Sequence, residues 1–401
     1  MQGIGDAMNG GAWRATAALA VGQTTGYAAM FYVFPALLAA WEAEFGPGGP
    51  PPALGLTLAL GVAAFAAPAA GRAVDRGRAP LMMPAAALLG AVLLAGLSRA
   101  DDVRVFLLLW AALGFAIAGA LYEPCFALLT RARGAEARRA IAAVTLVAGF
   151  ATALAYPLSA ALEAAFGWRG AVLGMAAMLA AITVPALAWG AWATERGASA
   201  DSTARAAPAA GPGPGWRAEW RRPGAIRLAV AFAAFGATHG MITAHILPLL
   251  GARGLDGAAA VAVAASVGPM QVAGRVLLLT APKRWRAVSL SAVSLALAAA
   301  GIGALGLGHG PVAAWAFAGM LGFAVGALTI LRPAALAETA GTERFGALSG
   351  LVAAPVAASL ALAPLAGGAL RAAGGADLAL AVAAALPLVG LAALAPLLRR
   401  R

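Results

Sequence analysis

One carboxylate lies deep within an apolar stretch of the chain. Glu123 stands in the segment ALYEPCFALL, whereas the other acidic residues fall in polar segments or at the edges of apolar ones. An ionised carboxylate is costly in an apolar environment, so such a residue has to meet a partner, face water or carry a proton. Glu123 is therefore the first candidate for chemistry.

Arg332 is the basic counterpart of Glu123, because each residue directly precedes a proline and the two stand 209 residues apart. The sequence leaves three interpretations of this pair open. The two side chains could form a gate. Alternatively, Arg332 binds an anionic substrate while Glu123 carries a coupling proton, since desolvation favours the uncharged carboxyl group. The third interpretation is a fixed structural ion pair.

Arg275 is a second basic residue inside an apolar segment, GPMQVAGRVLLL. A guanidinium group presents a planar fork that suits a carboxylate, so Arg275 is a candidate for binding an anion. A long basic side chain can also extend to the membrane surface, which is the structural alternative.

Two histidines and several hydroxyl groups complete the candidate set. Histidine titrates near neutral pH, and His245 is expected to act as a ligand or a proton site. Tyr32 and His245 each precede a proline by three residues, so they occupy matching places. Packing between helices is the alternative role for each residue. The candidate substrate ligands are Gln23, Tyr27, Tyr32, His245, Arg275 and Arg332, and the candidate proton-coupling or gating residues are Glu123, His239 and Arg332.

The composition predicts what kind of element carries these residues. The chain is 62% hydrophobic and 11% charged, whereas a soluble domain is about half apolar and about a quarter charged. So few charges cannot form a water-facing surface, and we expect a membrane-embedded protein. The net charge of +12 is spread over short clusters between apolar stretches. It therefore does not indicate a nucleic-acid-binding face.

Apolar stretches of about 20 residues suffice to span a bilayer, and the chain contains twelve, which we number as spans 1 to 12. They predict an all-α protein of two six-helix bundles, 1–192 and 226–401, joined by a polar cytoplasmic linker, 193–225. The spans are 16–40, 53–71, 80–98, 104–129, 139–162 and 170–192, then 227–251, 257–281, 287–307, 311–335, 346–370 and 377–398.

The basic residues support this topology. Lys and Arg concentrate on the cytoplasmic side of membrane proteins. With a cytoplasmic N-terminus, the 28 Lys and Arg residues fall in or next to cytoplasmic segments, apart from Arg99, Arg104, Arg169, Arg253 and Arg371. Those predicted on the cytoplasmic side include Arg205, Arg217, Arg221, Arg222, Lys283, Arg284, Arg344, Arg400 and Arg401. We expect both termini in the cytoplasm.

Proline positions suggest that one bundle repeats the other. Pro157 and Pro364 are 207 residues apart, Pro124 and Pro333 are 209 apart, and Pro35 and Pro248 are 213 apart. Similar offsets indicate a duplicated six-span unit. These prolines are expected to interrupt backbone hydrogen bonds and to bend their spans.

The loop after span 2 resembles the signature loop of the major facilitator superfamily, a glycine followed by aspartate-arginine and glycine-arginine. It comprises Gly71, Asp75, Arg76, Gly77 and Arg78, and its aspartate-to-glycine spacing is one residue shorter than in the family. The resemblance implies a role for Asp75 in pairing with basic groups and a helix end in one access state. It also implies that spans 1, 4, 7 and 10 line a central cavity, with Glu123 and Arg332 at matching positions.

The resemblance implies a secondary transporter that works by alternating access in the cytoplasmic (inner) membrane of a bacterium. The segment AAFGWRGAV and Arg275 resemble the monocarboxylate and oxalate/formate branch. The expected cargo is therefore a small organic anion, and the expected coupling ion is a proton. Multidrug or metabolite efflux by proton antiport and a transport-dead sensor are the alternatives. We expect a monomer.

Catalytic and cofactor-dependent functions find little support. An intramembrane enzyme would need paired acids or a nucleophile with a base, and Glu123 stands alone. Cys125 is the single cysteine, which excludes an internal disulfide and a multi-cysteine metal site. The GxGxxG pattern at 301–306 lies inside span 9 and indicates helix packing. We expect no enzymatic activity, no cofactor and no metal.

Overall fold

A computed structural model describes residues 2–46, 48–198, 223–280, 282, 285–340 and 345–399. These residues form helices joined by short turns. Most of the predicted linker, 199–222, lies outside the described residues. The same holds for the following basic residues used in the topology prediction: Arg205, Arg217, Arg221, Arg222, Lys283, Arg284, Arg344, Arg400 and Arg401.

The chain divides into two compact units, Met1–Ala207 and Pro208–Arg401. The helices of the first unit carry predicted spans 1 to 6. They are α1 (Gln2–Tyr27), α2 (Val33–Phe45), α3 (Leu54–Asp75), α4 (Ala79–Leu97), α5 (Val103–Ala120), α6 (Tyr122–Arg133), α7 (Ala137–Ala148), α8 (Ala151–Met178) and α9 (Val184–Arg196). Two π-helical turns, Ala28–Tyr32 and Leu179–Thr183, join α1 to α2 and α8 to α9.

The described helices of the second unit are fewer and longer. They are α10 (Pro223–Gly251), α11 (Gly257–Thr280), α12 (Ala287–Leu307), α13 (Pro311–Ala340) and α14 (Phe345–Leu398). The helix bounds agree closely with the predicted spans where a polar turn separates two spans, as for Ala287–Leu307.

Ten helical stretches within the described residues are long and apolar enough to cross a membrane. Two of them, Ala137–Arg196 and Leu348–Leu398, run for 60 and 51 residues, whereas about 20 residues cross the hydrocarbon core. Each contains a glycine with non-helical backbone angles, Gly167 (φ 68°, ψ 176°) in one and Gly375 (φ 67°, ψ −163°) in the other. These glycines lie at the predicted turns between spans 5 and 6 and between spans 11 and 12, 208 residues apart.

Non-helical backbone also occurs where two of the expected proline bends lie. Leu121 separates α5 from α6, three residues before Pro124, and His245 interrupts α10, three residues before Pro248. By contrast, α13 carries Pro333 in its interior without a non-helical residue. A proline alone therefore does not decide where a span of this protein breaks.

Close contacts between backbones hold neighbouring helices together in both units. A Cβ on Gly114 of α5 would lie 2.4 Å from the Ala59 carbonyl oxygen of α3, and one on Gly322 of α13 would lie 2.6 Å from the Val267 carbonyl oxygen of α11. Such approaches are characteristic of membrane helices, whose interfaces favour small residues. Both members of the second contact stand 208 residues after those of the first.

Three of the five basic residues outside the predicted cytoplasmic segments have partners within their own unit. Arg169 bonds to Glu44 at 2.9 Å and to Asp101 at 2.7 Å. Arg253 bonds to Asp377 at 2.6 Å, and Arg371 contacts a histidine described below. These arginines tie the ends of helices together.

Candidate functional site

Span 4 is broken beside Glu123. Leu121 has φ −88° and ψ −149°, so α5 ends at Ala120 and α6 begins at Tyr122. Glu123 therefore occupies the first turn of α6, and its side chain is exposed on the protein surface. The amide N–H groups at a helix N-terminus carry partial positive charge, which favours a carboxylate there. The sequence predicts a single span at 104–129 that bends at Pro124, and the break lies three residues before that proline.

Gln23 of α1 bonds to one end of this break. Its side-chain Nε2 donates to the Ala120 carbonyl oxygen at 2.8 Å, and the residue is fully buried. This carbonyl would be the acceptor for residue 124 in a continuous helix, but proline has no N–H to donate. The Gln23 amide therefore satisfies a carbonyl that the sequence leaves open. Its Oε1 is buried without a hydrogen-bond partner among the described atoms.

Tyr27 lies at the other end of the break. Its ring packs against that of Tyr122, the first residue of α6, and it lies within electrostatic range of Glu123. The Tyr27 and Tyr122 rings are 4.4 Å apart between centroids. Tyr122 in turn stacks on Phe126 at 4.7 Å. Aromatic rings thus surround the first turn of α6.

Tyr32 continues this aromatic cluster toward α8. Its ring lies 6.5 Å from that of Tyr27 and 6.3 Å from that of Tyr156 between centroids. The structure thus brings Gln23, Tyr27 and Tyr32 together along the break that carries Glu123.

His245 makes two hydrogen bonds in the second unit. Its Nε2 lies 2.8 Å from the Pro364 carbonyl oxygen, and its Nδ1 lies 3.1 Å from Nη1 of Arg371. A carbonyl can only accept and a guanidinium can only donate, so the ring is the neutral tautomer with its proton on Nε2. Sequence analysis noted Arg371 only as an exception to the topology and missed this contact.

The remaining candidates of the second unit lie on three helices. His239 is half-buried on α10, where its Nδ1 is 3.3 Å from the Thr243 hydroxyl and its ring stacks on Phe235. Arg275 is buried on α11, and Arg332 is exposed on α13. His245 contacts Arg371 directly.

The signature loop forms a tight turn between α3 and α4. Gly77 adopts φ +72°, a left-handed conformation that favours glycine. A Cβ at Gly77 would lie 3.3 Å from Oε1 of Glu195 at the end of α9, and Glu195 is paired with Arg131 of α6. Asp75, Arg76 and Arg78 are exposed, and Gly71 lies within α3. The Arg131–Glu195 pair was not predicted, because it joins residues at the ends of two helices that are 64 positions apart in the chain.

Comparison with known proteins adds one finding. The family model described as Major Facilitator Superfamily matches residues 19–328. This range begins in span 1, includes the signature loop and Glu123, and ends in span 10. No curated protein matches the chain.

Proposed function

The chain belongs to the Major Facilitator Superfamily, and we propose that it carries a small organic anion across the cytoplasmic membrane by proton-coupled alternating access. The family consists of secondary transporters, and the apolar helices make this a multi-pass membrane protein. We further propose that the chain crosses the membrane twelve times, with bundles at 1–192 and 226–401, a linker at 193–225 and both termini in the cytoplasm. We also propose that the protein is a monomer.

The position of Glu123 is the observation that supports proton coupling. It is an acidic residue within a membrane-spanning stretch, Val103–Arg133, and its side chain is exposed. A charged group is unstable against lipid, so an exposed carboxylate at this depth faces water or a ligand. Such a residue can take up and release a proton during the transport cycle. We propose His239 as a second titratable group.

The anion would be bound by guanidinium groups. Arg332 is exposed on α13 and stands at the position that matches Glu123, which supports it as the main contact. Arg275, buried on α11, is the second candidate. A guanidinium can give a carboxylate two parallel hydrogen bonds. We propose that Tyr27 and Tyr32 contribute hydroxyls, whereas Gln23 and His245 already bond within their own units.

Efflux of aromatic or amphiphilic compounds by proton antiport is the second candidate function. The half-exposed rings of Tyr27, Tyr122 and Phe126 beside Glu123 favour it. Aromatic faces attract organic cations, and a neighbouring carboxylate strengthens that attraction. The two candidates thus differ in the charge of the cargo.

A thermal-shift screen of the purified protein distinguishes anion transport from efflux of amphiphilic compounds. Acetate, lactate, oxalate and benzoate are tested against hydrophobic amines of similar size. We expect a carboxylate to raise the unfolding temperature, and stabilisation by amines alone would favour efflux. Counterflow of the stabilising compound in liposomes then distinguishes a transporter from a sensor, which would bind without flux.

The role of Glu123 is tested in the same liposomes. Glu123→Gln should abolish the dependence of flux on a pH gradient while exchange of the substrate continues. Glu163→Gln is the matched control, because Glu163 is half-buried on α8 and belongs to none of the proposed contacts. Unchanged pH dependence in Glu123→Gln would exclude this residue as the proton carrier.

A further inference from the structure

We propose that the first unit binds one anionic phospholipid, with an acyl chain in an apolar groove between α3 and α4 and the phosphate on arginines of the signature loop. The groove is a cavity of about 420 Å³ that opens on the surface of this unit. It is lined by residues of three helices, among them Ala69, Met82, Ala85, Leu89, Phe115 and Gly119. The proposal is independent of the cargo and of proton coupling.

The groove exists because α3 and α4 each pack against α5 but touch each other at few points. At its base α4 comes close to α5, since a Cβ on Gly119 would lie 2.7 Å from the Cβ of Ala86. Small residues such as Ala69 and Ala85 stand on the two sides and leave the space between the helices open. The base of the groove is therefore α5, and its walls are α3 and α4.

The rim of the groove faces lipid. Phe65 of α3 and Phe115 of α5 are 85% and 53% exposed. The exposed residues of α4 recur at helical spacing and include Leu81, Ala85, Leu88, Leu89 and Val92. Large apolar side chains exposed together on a membrane-spanning unit are stable against hydrocarbon. An acyl chain in the groove would contact protein on three sides and so gain dispersion contacts that the flat surface of a helix does not offer.

The position of the groove along the membrane normal suits one leaflet. Met82 and Leu89 stand seven positions apart on α4, which corresponds to about 10 Å along the helix axis. Half of the hydrocarbon core is about 15 Å thick. Met82 follows Arg78 by four residues, so the groove begins about one helical turn from the signature loop. A chain that enters beside the loop would therefore occupy most of the leaflet on that side.

The signature loop supplies the contacts for a headgroup at this end of the groove. Arg72 lies in the last turn of α3, three residues after Ala69, and Arg78 directly precedes α4. Arg72, Arg76 and Arg78 are all exposed. With Asp75 they give the loop a net charge of +2. Guanidinium groups bind phosphate through paired hydrogen bonds, and basic residues next to a membrane span attract anionic lipids. The loop therefore favours an anionic phospholipid over a zwitterionic one.

Photolabelling of the full-length protein locates the bound chain without any substitution. Phosphatidylglycerol with a diazirine near the middle of one acyl chain is irradiated with the protein in detergent, and the labelled peptides are mapped by mass spectrometry. We expect adducts to concentrate on 66–89 and 115–119. Dioleoyl phosphatidylglycerol should compete about tenfold better than dioleoyl phosphatidylcholine, because the loop attracts negative charge. Adducts spread evenly over the exposed helices, or equal competition by the two lipids, would overturn the proposal.

Two arginine pairs separate a headgroup site from general attraction to a basic protein. Arg76→Gln with Arg78→Gln should raise the phosphatidylglycerol concentration needed for half-maximal competition about tenfold, since two basic contacts are lost. Arg14→Gln with Arg138→Gln is the matched control, because it removes the same charge from exposed positions on α1 and α7. This control should behave like wild type. Equal weakening by both pairs would show attraction without a site and would refute the headgroup contact.

Filling the groove tests the acyl chain separately. Ala69→Leu should reduce the adducts on 66–89 about fivefold, because the added side chain takes the place of several dispersion contacts of the lipid. Ala64→Leu is the control, since Ala64 is also exposed on α3 but does not line the groove. Equal reduction by both substitutions would contradict binding in the groove.

Two soluble competitors distinguish the phospholipid from other occupants of the same surface. Glycerol 3-phosphate carries the charge without the chain, and dodecylamine carries a chain with the opposite charge. Neither should suppress the adducts on 66–89 at concentrations where phosphatidylglycerol does. Suppression by glycerol 3-phosphate would indicate a site for phosphate alone, and suppression by dodecylamine would indicate a site for amphiphilic cargo. Either result would overturn the proposal, and neither depends on whether the protein transports an anion.

Discussion

The Arg253 guanidinium lies 2.6 Å from the Asp377 carboxylate, and this pair joins the end of α10 to the helix that follows the Gly374–Gly375 break. In the first unit the matching positions carry Glu44 and Arg169, which form a 2.9 Å pair with the two signs exchanged. The matching residues stand 208 or 209 positions apart. Both units thus use one ion pair at the same place with opposite polarity.

Exchanging the charges within the second unit should preserve its ion pair. Asp377→Arg alone places two like charges together. It should lower the free energy of unfolding by about 1–2 kcal/mol, a modest cost because Asp377 is largely exposed and its interactions are screened. Arg253→Asp with Asp377→Arg should recover at least half of the loss. Thermal unfolding of purified protein measures the cycle, and a double variant as unstable as the sum of both single variants would refute the pairing.

Two glycines are expected to tolerate alanine very differently although they lie on one helix. Gly322→Ala would place a Cβ 2.6 Å from the Val267 carbonyl oxygen, whereas nothing lies within 4 Å of a Cβ on Gly319. Overpacking of this kind costs about 1–3 kcal/mol, since backbone atoms cannot move aside easily. Unfolding temperatures should fall for Gly322→Ala and stay unchanged or rise slightly for Gly319→Ala. Gly114→Ala should behave like Gly322→Ala.

The signature loop contains two glycines with different requirements. Gly77 needs its left-handed conformation, which costs another residue about 1–2 kcal/mol, and an added Cβ would also press on Glu195. Gly71 lies within α3 with open space at its Cβ. Gly77→Ala should therefore destabilise the protein, and Gly71→Ala should be neutral or stabilising. Equal unfolding temperatures for the two variants would show that the turn can re-form without glycine.

His245 is buried, and its hydrogen bonds should contribute strongly to stability. Replacing it with leucine removes the donor to Pro364 and the acceptor for Arg371, at a cost of about 1–3 kcal/mol for each buried group left without that bond. His245→Gln can both donate and accept, so it should recover part of the loss. A leucine variant that unfolds like wild type but no longer binds substrate would instead support the predicted ligand role.

The sequence predicts helix bounds well where polar turns separate apolar spans. The span 287–307 is found as Ala287–Leu307, and the turns near Gly167 and Gly375 lie where the hydrophobic pattern is interrupted. Membership of the major facilitator superfamily was also predicted from the loop around Asp75 and is shown by the family match. These hydrophobic and charge patterns are local, because they depend on whether a segment lies in lipid or in water.

A bend at Pro124 is expected from the sequence, but its own segment does not show that the helix breaks at Leu121 while the span of Pro333 stays continuous. Hydrophobicity is continuous across Gly119, Leu121 and Tyr122, and Pro124 alone gives the same signal as Pro333. The group that satisfies the broken end, Gln23, lies 97 residues away in the chain. The same limitation explains why the Arg371 contact with His245 was missed, since 126 residues separate the two. Contacts between distant residues need the tertiary structure.

The exchanged polarity of the two ion pairs limits how the halves can have diverged. Reversing one charge at a time would place two like charges at ion-pair distance, and each such ancestor would have been less stable. The route with the smaller loss of stability passes through an uncharged residue at one position before the second sign changes. Descendants of that intermediate would carry a neutral side chain at the position of Glu44, Arg169, Arg253 or Asp377, and they would reveal which half kept the ancestral polarity.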